Sequence, residues 1–268
     1  MPADLRRAKI LERIQRDGGA SIGELARDYG VSPITVHRDL ERLAREGLIE
    51  RIHGGARPSG VSPTHIQVPT DWAKRLRHAQ AQKEAIAATA AHFVDDGGTI
   101  FVDSSTTCLA LARHLNRHPP RALTLVTNSP AIAMELHAPA IHVVVTPGEV
   151  DQTLRMIGGR WAAEFLAGLN MEVAFVSAGG VTLEHGLTTT RRALSDTLRA
   201  ALASSAKGIG LIDSSKFGLS ALLSIARPEE LDAVVVDDGL SRELIDAYEA
   251  AGVNLVFAGG HQQASSVA

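Results

Sequence analysis

Short runs of apolar, largely β-branched residues alternate with amphipathic helical segments from residue 99 to residue 258. A strand that is apolar on both faces needs helices on both sides to cover it. The alternation therefore predicts an α/β fold with a large, open and mostly parallel sheet domain. The predicted strands are residues 99–103, 123–127, 141–146, 173–177, 208–213, 222–225, 233–237 and 254–258, with helices at 107–116, 129–136, 159–169, 193–204 and 241–251.

Three short helical patterns precede this domain and predict a winged helix-turn-helix over residues 1–57. Ser21 is placed to cap the second helix, and Ser32 to cap the third, where Pro33 takes the first helical position without losing a hydrogen bond. The third helix has an apolar stripe at helical spacing, formed by Val36, Leu40 and Leu43. A short strand and a tight Gly54-Gly55 turn follow and would form the wing.

A stretch rich in Pro, Ser and Gly, residues 58–70, is predicted to link this head to the larger domain at residues 71–268, which opens with a helix over 72–93.

The two parts differ in charge. Residues 1–57 contain eleven Lys or Arg and nine Asp or Glu, whereas the rest contains sixteen and twenty-one. A mildly basic head on an acidic body has the charge asymmetry expected of a DNA-binding protein.

Several function classes lack their sequence signals. Cys108 is the single cysteine, so an internal disulfide is excluded and a reducing compartment fits. The N-terminus has no apolar signal segment, and no run reaches the roughly 18 apolar residues of a membrane span, so we expect a soluble, cytoplasmic protein with no membrane partner. P-loop, nucleophile-elbow and zinc-ligand motifs are missing, so we expect neither a cofactor nor a metal.

The start of the third helix and the wing hold the candidate DNA contacts. If the apolar stripe faces inward, polar side chains project from the helix N-terminus, where a recognition helix meets base edges. Arg38 would make a bidentate contact to a guanine or bind a phosphate. The small glycines of the wing would allow close approach to a DNA backbone. The alternative is a three-helix packing module with a solvated basic face. The candidate contacts are Ser32, Pro33, Thr35, His37, Arg38, Arg51, His53 and Arg57.

Polar residues follow several predicted strands at their carboxyl ends, which is where ligands bind in open α/β sheets. Residues 103–107 place four consecutive hydroxyls at a helix N-terminus, a favourable site for an anion, whereas capping alone would explain one of them. Lys216 would supply a point charge to phosphate or would face solvent. The candidate effector-binding residues are Asp103, Ser104, Ser105, Thr106, Thr107, Thr127, Asn128, Ser129, Gly148, Glu149, Gly179, Gly180, Asp213 and Lys216.

The strings Val31-Ser-Pro-Ile-Thr-Val-His-Arg-Asp-Leu40 and Arg51-Ile-His-Gly-Gly-Ala56 strongly resemble the recognition helix and wing of the DeoR family of bacterial transcriptional regulators. Residues 103–107, 127–129 and 213–218 resemble the effector domain of the same family. The resemblance implies a sensor domain with a fold like that of ribose-5-phosphate isomerase. It further implies a repressor of a sugar or nucleoside catabolic operon, with a double-stranded DNA operator and a phosphorylated sugar as partners.

Three places depart from the family's pattern. His37 stands where the family usually has Arg, so a titratable side chain replaces a permanent charge. Pro147 replaces a glycine, which stiffens its loop. Residues 190–193, Thr-Arg-Arg-Ala, stand where the family usually has Asn with acidic residues. Arg191 and Arg192 would add positive charge near the ligand or face solvent.

Two other functions stay open from the residues. A sugar-phosphate isomerase or deaminase fused to a DNA-binding head would need a general base, for which Glu149, Glu184 and Asp213 are candidates. The acidic run that ribose-phosphate isomerases carry after the central strand is replaced here by residues 177–184. A pure oligomerisation module would explain the sheet but not the polar strand ends. We expect a regulator without catalysis, assembled as a homo-oligomer, either dimer or tetramer.

Overall fold

The computed structural model describes residues 2–17, 19–52, 54–58 and 72–259. The chain divides into two compact units, one ending at Pro69 and the other starting at Thr70. Of the predicted linker, only Pro58 lies within the described residues, and it belongs to the last strand of the first unit, where it pairs with Ile49. No helix in the described parts of the chain is both long enough and apolar enough to cross a membrane.

The first unit is a winged helix-turn-helix. Its elements are α1 (Ala3–Asp17), β1 (Ala20–Ser21), α2 (Ile22–Tyr29), α3 (Pro33–Arg45), β2 (Ile49–Ile52) and β3 (Gly55–Pro58). The three strands form an antiparallel sheet in the order β1-β3-β2. The core of the unit includes the predicted stripe of α3, since Val36, Leu40 and Leu43 are all buried.

Local hydrogen bonds explain where α2 and α3 begin. Ser21 accepts from the backbone of Glu24, whose side chain in turn accepts from the backbone of Ser21, which is a complete capping box. Gly30 ends α2 in the left-handed conformation with φ of 63°. Ser32 then caps α3 by accepting from the amide of Thr35 at 3.2 Å. Both predicted caps are thereby confirmed.

A buried carboxylate joins α1 to α3, which the sequence pattern did not indicate. Asp39 is 3% exposed, and its Oδ2 accepts from Arg6 Nε at 2.6 Å. Arg7 Nη1 lies 3.4 Å from the other carboxylate oxygen. A buried charge with two guanidinium partners fixes the side of α3 that faces inward, so the opposite side is held outward.

The second unit has a parallel α/β core. Its elements are α4 (Trp72–Arg77), α5 (Gln80–Ala90), a short 3₁₀ turn (Ala91–Phe93), β4 (Thr99–Val102), α6 (Thr106–Arg117), β5 (Leu123–Thr127), α7 (Pro130–Glu135), β6 (Ile141–Val145), β7 (Glu149–Asp151), β8 (Met156–Gly158), α8 (Arg160–Ala167), β9 (Met171–Val176), β10 (Gly180–Thr182), β11 (Gly186–Thr189), α9 (Arg192–Ala203), β12 (Ser205–Leu211), β13 (Leu223–Ala226), β14 (Ala233–Val236), α10 (Arg242–Ala250) and β15 (Leu255–Phe257).

Within the described residues, seven of these strands form one parallel sheet in the order β15-β14-β12-β9-β4-β5-β6. Alternate residues of a strand pack on opposite faces: in β4, Ile100 and Val102 join a core that includes α5 and α6, whereas Phe101 joins one that includes α8, α9 and α10. The predicted parallel sheet with helices on both faces is confirmed.

Two predicted elements are wrong in detail. The helix predicted over 72–93 ends at Arg77 and restarts at Gln80, because Ala79 takes a left-handed conformation with φ of 51°. Lys83 stabilises this break by donating from Nζ to the carbonyl oxygens of Arg75 and His78. The strand predicted at 222–225 does not join the parallel sheet: β13 pairs antiparallel with β11 in a separate sheet, in which β11 also pairs with β10.

Candidate functional sites

The outward face of α3 carries the predicted contacts of the head. Ser32, Pro33, His37 and Arg38 are exposed, as expected for side chains on the face opposite the buried stripe. Thr35 is half-buried, and its Oγ1 lies 2.9 Å from the hydroxyl of Ser32, so the helix cap already engages it. Ile34 was not predicted as a contact but is 66% exposed on the same first turn. The free surface at the start of α3 therefore combines apolar and polar groups.

The wing strand β2 reaches back to this face through Arg51. Its Nη2 lies 2.9 Å from Nδ1 of His37, and its Nη1 lies 3.5 Å from Oε1 of Glu41. The predicted contacts Arg51 and His37 are thus brought together, with Glu41 as a partner that the sequence did not reveal. His53 and the side chain of Arg57 lie outside the described residues.

In the second unit, five adjacent strands end in buried polar residues at the carboxyl edge of the sheet. Adjacent strands lie about 4.8 Å apart, so these residues form a row across the edge. In the order β12-β9-β4-β5-β6 they are Asp213, Ser177, Asp103, Asn128 and Thr146, each 6% exposed or less. Three of them, Asp103, Asn128 and Asp213, were predicted site residues, and the fold places them along one edge.

Asp103 is a buried carboxyl at the middle of this row. Its Oδ1 accepts from the hydroxyl of Ser104 at 3.2 Å, and its Oδ2 accepts from the amide of Ser177 at 3.3 Å. Burial disfavours the charged form and raises the pKa of Asp103 to about 6, although these hydrogen bonds act in the opposite direction. The group is therefore a strong hydrogen-bond acceptor that the fold holds at an electrostatic cost.

Asn128 and Thr146 supply polar atoms that the fold itself does not use. Asn128 is fully buried, and no described residue is hydrogen-bonded to its Oδ1 or its Nδ2. The hydroxyl of Thr146 is likewise buried without a partner among the described residues. A buried polar group without a partner costs about 1–3 kcal/mol, and such groups in native proteins commonly meet a water or a ligand. This pair is the feature of the row that most directly indicates a polar ligand.

Other hydroxyls of the predicted site are used by the fold. Ser105 caps α6 by accepting from the amide of Cys108, and Ser129 caps α7 by accepting from the amide of Ile132. Thr127 donates from Oγ1 to the carbonyl of Val102 at 2.7 Å. The expectation that capping accounts for one hydroxyl of the series is correct for residues 104–107. The side chains of Ser105, Thr127 and Ser129 nevertheless have structural partners and are weaker ligand candidates.

A group of basic residues surrounds Asp213 at one end of the row. Burial opposes the ionisation of Asp213, but Lys216, a hydrogen bond from Ser215 and the nearby Lys83 together hold its pKa below the usual value. Lys83 is itself buried, and burial lowers its pKa to about 8. Lys216 is half-buried and was predicted, whereas Lys83 was read as part of an uninterrupted helix. This end of the row is the part of the edge suited to an anion.

The remaining predicted residues have different positions. Thr106 and Thr107 are buried in the first turn of α6, and Glu149 is exposed at the start of β7. Gly148 has a φ of 145° and packs tightly against the backbone of Gly158. Gly179 donates its amide to the carbonyl of Thr188, and a Cβ at Gly180 would overlap the backbone of Leu219. Close packing against neighbouring backbone therefore explains why positions 148 and 180 need glycine, without any role in ligand binding.

The two unusual arginines each have a carboxylate partner. Arg191 Nε lies 3.1 Å from Oδ2 of Asp151 in β7, and Arg192 pairs with Asp196 one turn along α9. Both side chains are substantially exposed, which favours the solvent-facing alternative. Among the residues that the structure describes, no group of three or more His, Cys, Asp or Glu is arranged to hold a metal ion.

Comparison with known protein families finds two domains. Residues 6–59 match the DeoR-like helix-turn-helix domain, and residues 78–238 match the DeoR C terminal sensor domain. The first range contains the α3 face and the wing, and the second contains the whole row from Asp103 to Asp213. Together the two matches include all the candidate residues described above.

Two curated relatives are similar over most of their length. The HTH-type transcriptional regulator GolR of Listeria innocua is 31% identical over 249 residues, which are 92% of this chain and 96% of GolR. The glycerol-3-phosphate regulon repressor of Escherichia coli is 30% identical over 229 residues, covering 85% of this chain and 88% of the repressor. Among solved structures, ribose 5-phosphate isomerase A of Methanocaldococcus jannaschii aligns over 52% of this chain and 54% of its own, with 18% identity and a TM-score of 0.39.

Proposed function

Because the chain belongs to the DeoR family of transcriptional regulators, we propose that it represses an operon for sugar or nucleoside catabolism under the control of a phosphorylated sugar. The head binds operator DNA through the outward face of α3 and the wing. The observation that carries the effector assignment is the row of buried polar residues, in which Asn128 and Thr146 have polar atoms without described partners.

The positions of the residues in the row suggest which of them bind the phosphate of such an effector and which bind its hydroxyls. Lys216, with the amides at the start of α6, offers positive charge to a phosphate. Asn128 and Thr146 offer a donor and acceptors to sugar hydroxyls, and Asp103 accepts from another hydroxyl. The glycerol-3-phosphate regulon repressor, a relative of similar length, bears the name of a phosphorylated polyol. The class of ligand we propose is therefore a polyhydroxylated phosphate monoester.

We propose binding without turnover. An isomerase would need a base placed against the carbon next to the carbonyl group, and Asp103, with its pKa near 6, is the group here closest to that requirement. The hydrogen bonds from Ser104 and Ser177 fix the orientation of this carboxyl and leave each oxygen a second lone pair for a ligand hydroxyl, which favours a fixed binding role.

A thermal-shift screen tests the ligand class. Sugar phosphates, the matching unphosphorylated sugars and inorganic phosphate are compared at equal concentrations. A ligand that binds the native state at 100 times its Kd stabilises it by about 2.7 kcal/mol. We expect a shift for at least one sugar phosphate, and no comparable shift for its sugar or for phosphate alone. Equal shifts for a sugar phosphate and its plain sugar would contradict the proposed anion site.

Arg38→Ala is expected to lower affinity for the operator about tenfold and to relax the preference for one base pair. The exposed guanidinium lies on the outer face of α3, and a bidentate contact to a base is worth about 1–3 kcal/mol. Gel-shift titrations at fixed salt on selected and scrambled duplexes measure both effects. Arg42→Ala, which removes an exposed arginine near the other end of the helix, is the control. Unchanged binding of the selected duplex by Arg38→Ala would show that the outward face of α3 near Arg38 does not contact the bases.

We also propose a homo-oligomer that presents two heads to a two-fold symmetric operator. Large apolar side chains are exposed on the second unit, which suits a surface covered by another copy. They include Met134, Val150, Trp161 and Leu222, each more than 60% exposed. Light scattering at micromolar concentration is expected to give at least twice the mass of one chain. A monomer both free and bound to DNA would refute the proposal.

A further inference from the structure

The contact between Arg51 and His37 constrains the chemistry that the recognition helix can present. A guanidinium carries five donors and no acceptor, so the His37 Nδ1 that lies 2.9 Å from Arg51 Nη2 must be the acceptor. In a neutral imidazole that accepts at Nδ1, the proton is on Nε2. Arg51 therefore selects one tautomer of His37 and leaves Nε2–H as the donor at the free end of the ring.

Arg51 is also held in place from a second side. Its Nη1 lies 3.5 Å from the carboxylate of Glu41, one helical turn beyond His37. The guanidinium thus bridges two residues of α3, and its side chain is 32% exposed compared with 55% for Glu41. A phosphate contact would have to compete with the Glu41 carboxylate for the same charge. This arrangement suits a brace between β2 and α3 better than a free cation facing the DNA backbone.

We propose that Arg51 is a positioning residue that holds His37 as a fixed hydrogen-bond donor, and that His37 Nε2–H reads an acceptor on a base edge in the major groove. The inference rests on the proposed DNA-binding function. The acceptors available there are N7 and O6 of guanine, N7 of adenine and O4 of thymine, whereas cytosine presents an amino donor. His37 and Arg51 together should thus favour a purine or a thymine at one position and reject cytosine.

The two possible roles of Arg51 have different signatures. A phosphate contact raises affinity for every sequence alike, and its loss lowers the slope of log affinity against log salt by about 0.9. A residue that orients His37 affects base preference instead, and it does so at the position that His37 reads. Its effect also depends on the presence of His37, so the two substitutions are not additive.

The experiment uses the full chain and a library of randomised duplexes. The parent, His37→Ala, Arg51→Ala, Arg51→Lys and the double variant His37→Ala/Arg51→Ala each select bound sequences, and affinities are then measured across a salt series. Arg42→Ala serves as the matched control, because it removes an exposed arginine–glutamate pair on the same helix. Where the selected base is a purine, a duplex with the 7-deaza base removes its N7 acceptor.

We expect His37→Ala and Arg51→Ala to relax preference at the same base pair, each with about a tenfold loss on the selected duplex. The double variant should lose little more than either single variant. Arg51→Lys keeps a donor to Nδ1 and should restore part of the preference. Where the acceptor is N7 of a purine, the 7-deaza duplex should weaken binding by the parent but not by His37→Ala. Arg42→Ala should keep the parental preference.

Two different results would overturn the inference, one of them without affecting the proposed function. If Arg51→Ala keeps the parental base preference, weakens all duplexes alike and lowers the salt slope, then Arg51 binds phosphate and does not position His37. If the parent itself enriches no sequence from the library, the proposed function fails together with the inference.

Discussion

Asp103→Asn is expected to increase the free energy of unfolding by about 3 kcal/mol at pH 7 while it weakens the response to the effector. Burial raises the pKa of Asp103 to about 6, and an unfolded aspartate titrates near 3.9. Between these values the folded state binds more protons than the unfolded state, so stability is lost as pH rises from about 4 through 6. Asparagine has nearly the same shape and carries no charge to desolvate, so this penalty disappears. Its oxygen can still accept from the amide of Ser177 while its NH2 donates to the hydroxyl of Ser104, which can act as an acceptor.

Denaturant unfolding at several pH values between 4 and 7.5 measures this effect. The variant should differ little from the parent near pH 4, and the difference should grow up to about pH 7. Asp246→Asn, which changes an exposed carboxylate paired with Arg242, is the control and should leave stability nearly unchanged. A variant no more stable than the parent at pH 7 would mean that the charged form of Asp103 is not disfavoured by the fold. In that case its place in the row would need another explanation.

Lys216→Ala is expected to raise the sugar phosphate concentration needed for half-maximal effect on operator binding by about 100-fold. A charge-assisted hydrogen bond is worth about 1.5–3 kcal/mol, and Lys216 is the half-buried cation beside Asp213 at the anion end of the row. Affinity for the unphosphorylated sugar should change much less, because that ligand has no phosphate group for Lys216 to contact. Operator affinity without ligand should stay close to that of the parent, since the proposed DNA contacts belong to the other unit.

Lys207→Ala is the matched control for Lys216→Ala. Lys207 is an exposed lysine of β12, the same strand that leads into Asp213, but it lies toward the amino end of that strand. Lys216→Gln is a second variant that keeps much of the side-chain length, for the case in which Lys216→Ala unfolds. An equal loss of affinity for plain and phosphorylated sugar would contradict the anion site. Conversion of the sugar phosphate by the purified parent protein would overturn the proposal of binding without turnover.

Local signals were enough to predict the architecture. The caps at Ser21 and Ser32 act through atoms three residues away, and the stripe of α3 follows from helical spacing alone. The strands of the parallel sheet are apolar on both faces, which makes them recognisable without knowledge of their neighbours. The residues at their carboxyl ends could therefore be predicted as a site, since parallel strands end on one edge.

The short antiparallel elements could not be predicted in the same way. The hairpin of β7 and β8 has strands of three residues, and β13 joins β11 rather than the sheet predicted from its composition. Strands of three or four residues show too little alternation to be recognised from the sequence, and the pairing of β13 with β11 joins segments separated by α9 and β12, which residue patterns do not encode. The break at Ala79 depends on a local side-chain contact instead, because the ammonium of Lys83 satisfies the carbonyl groups released where α4 ends.

Residue types and their order thus determined the two-part α/β organisation, the third helix of the helix-turn-helix and the polar edge of this protein. They did not determine which polar atoms are free. Ser105 and Ser129 turned out to be caps, whereas Asn128 and Thr146 have atoms with no partner among the described residues. Nor did they reveal that Arg51 contacts His37. The physical reason is that a hydrogen bond is directional and short, so its partner depends on side-chain positions that form only when the chain has folded.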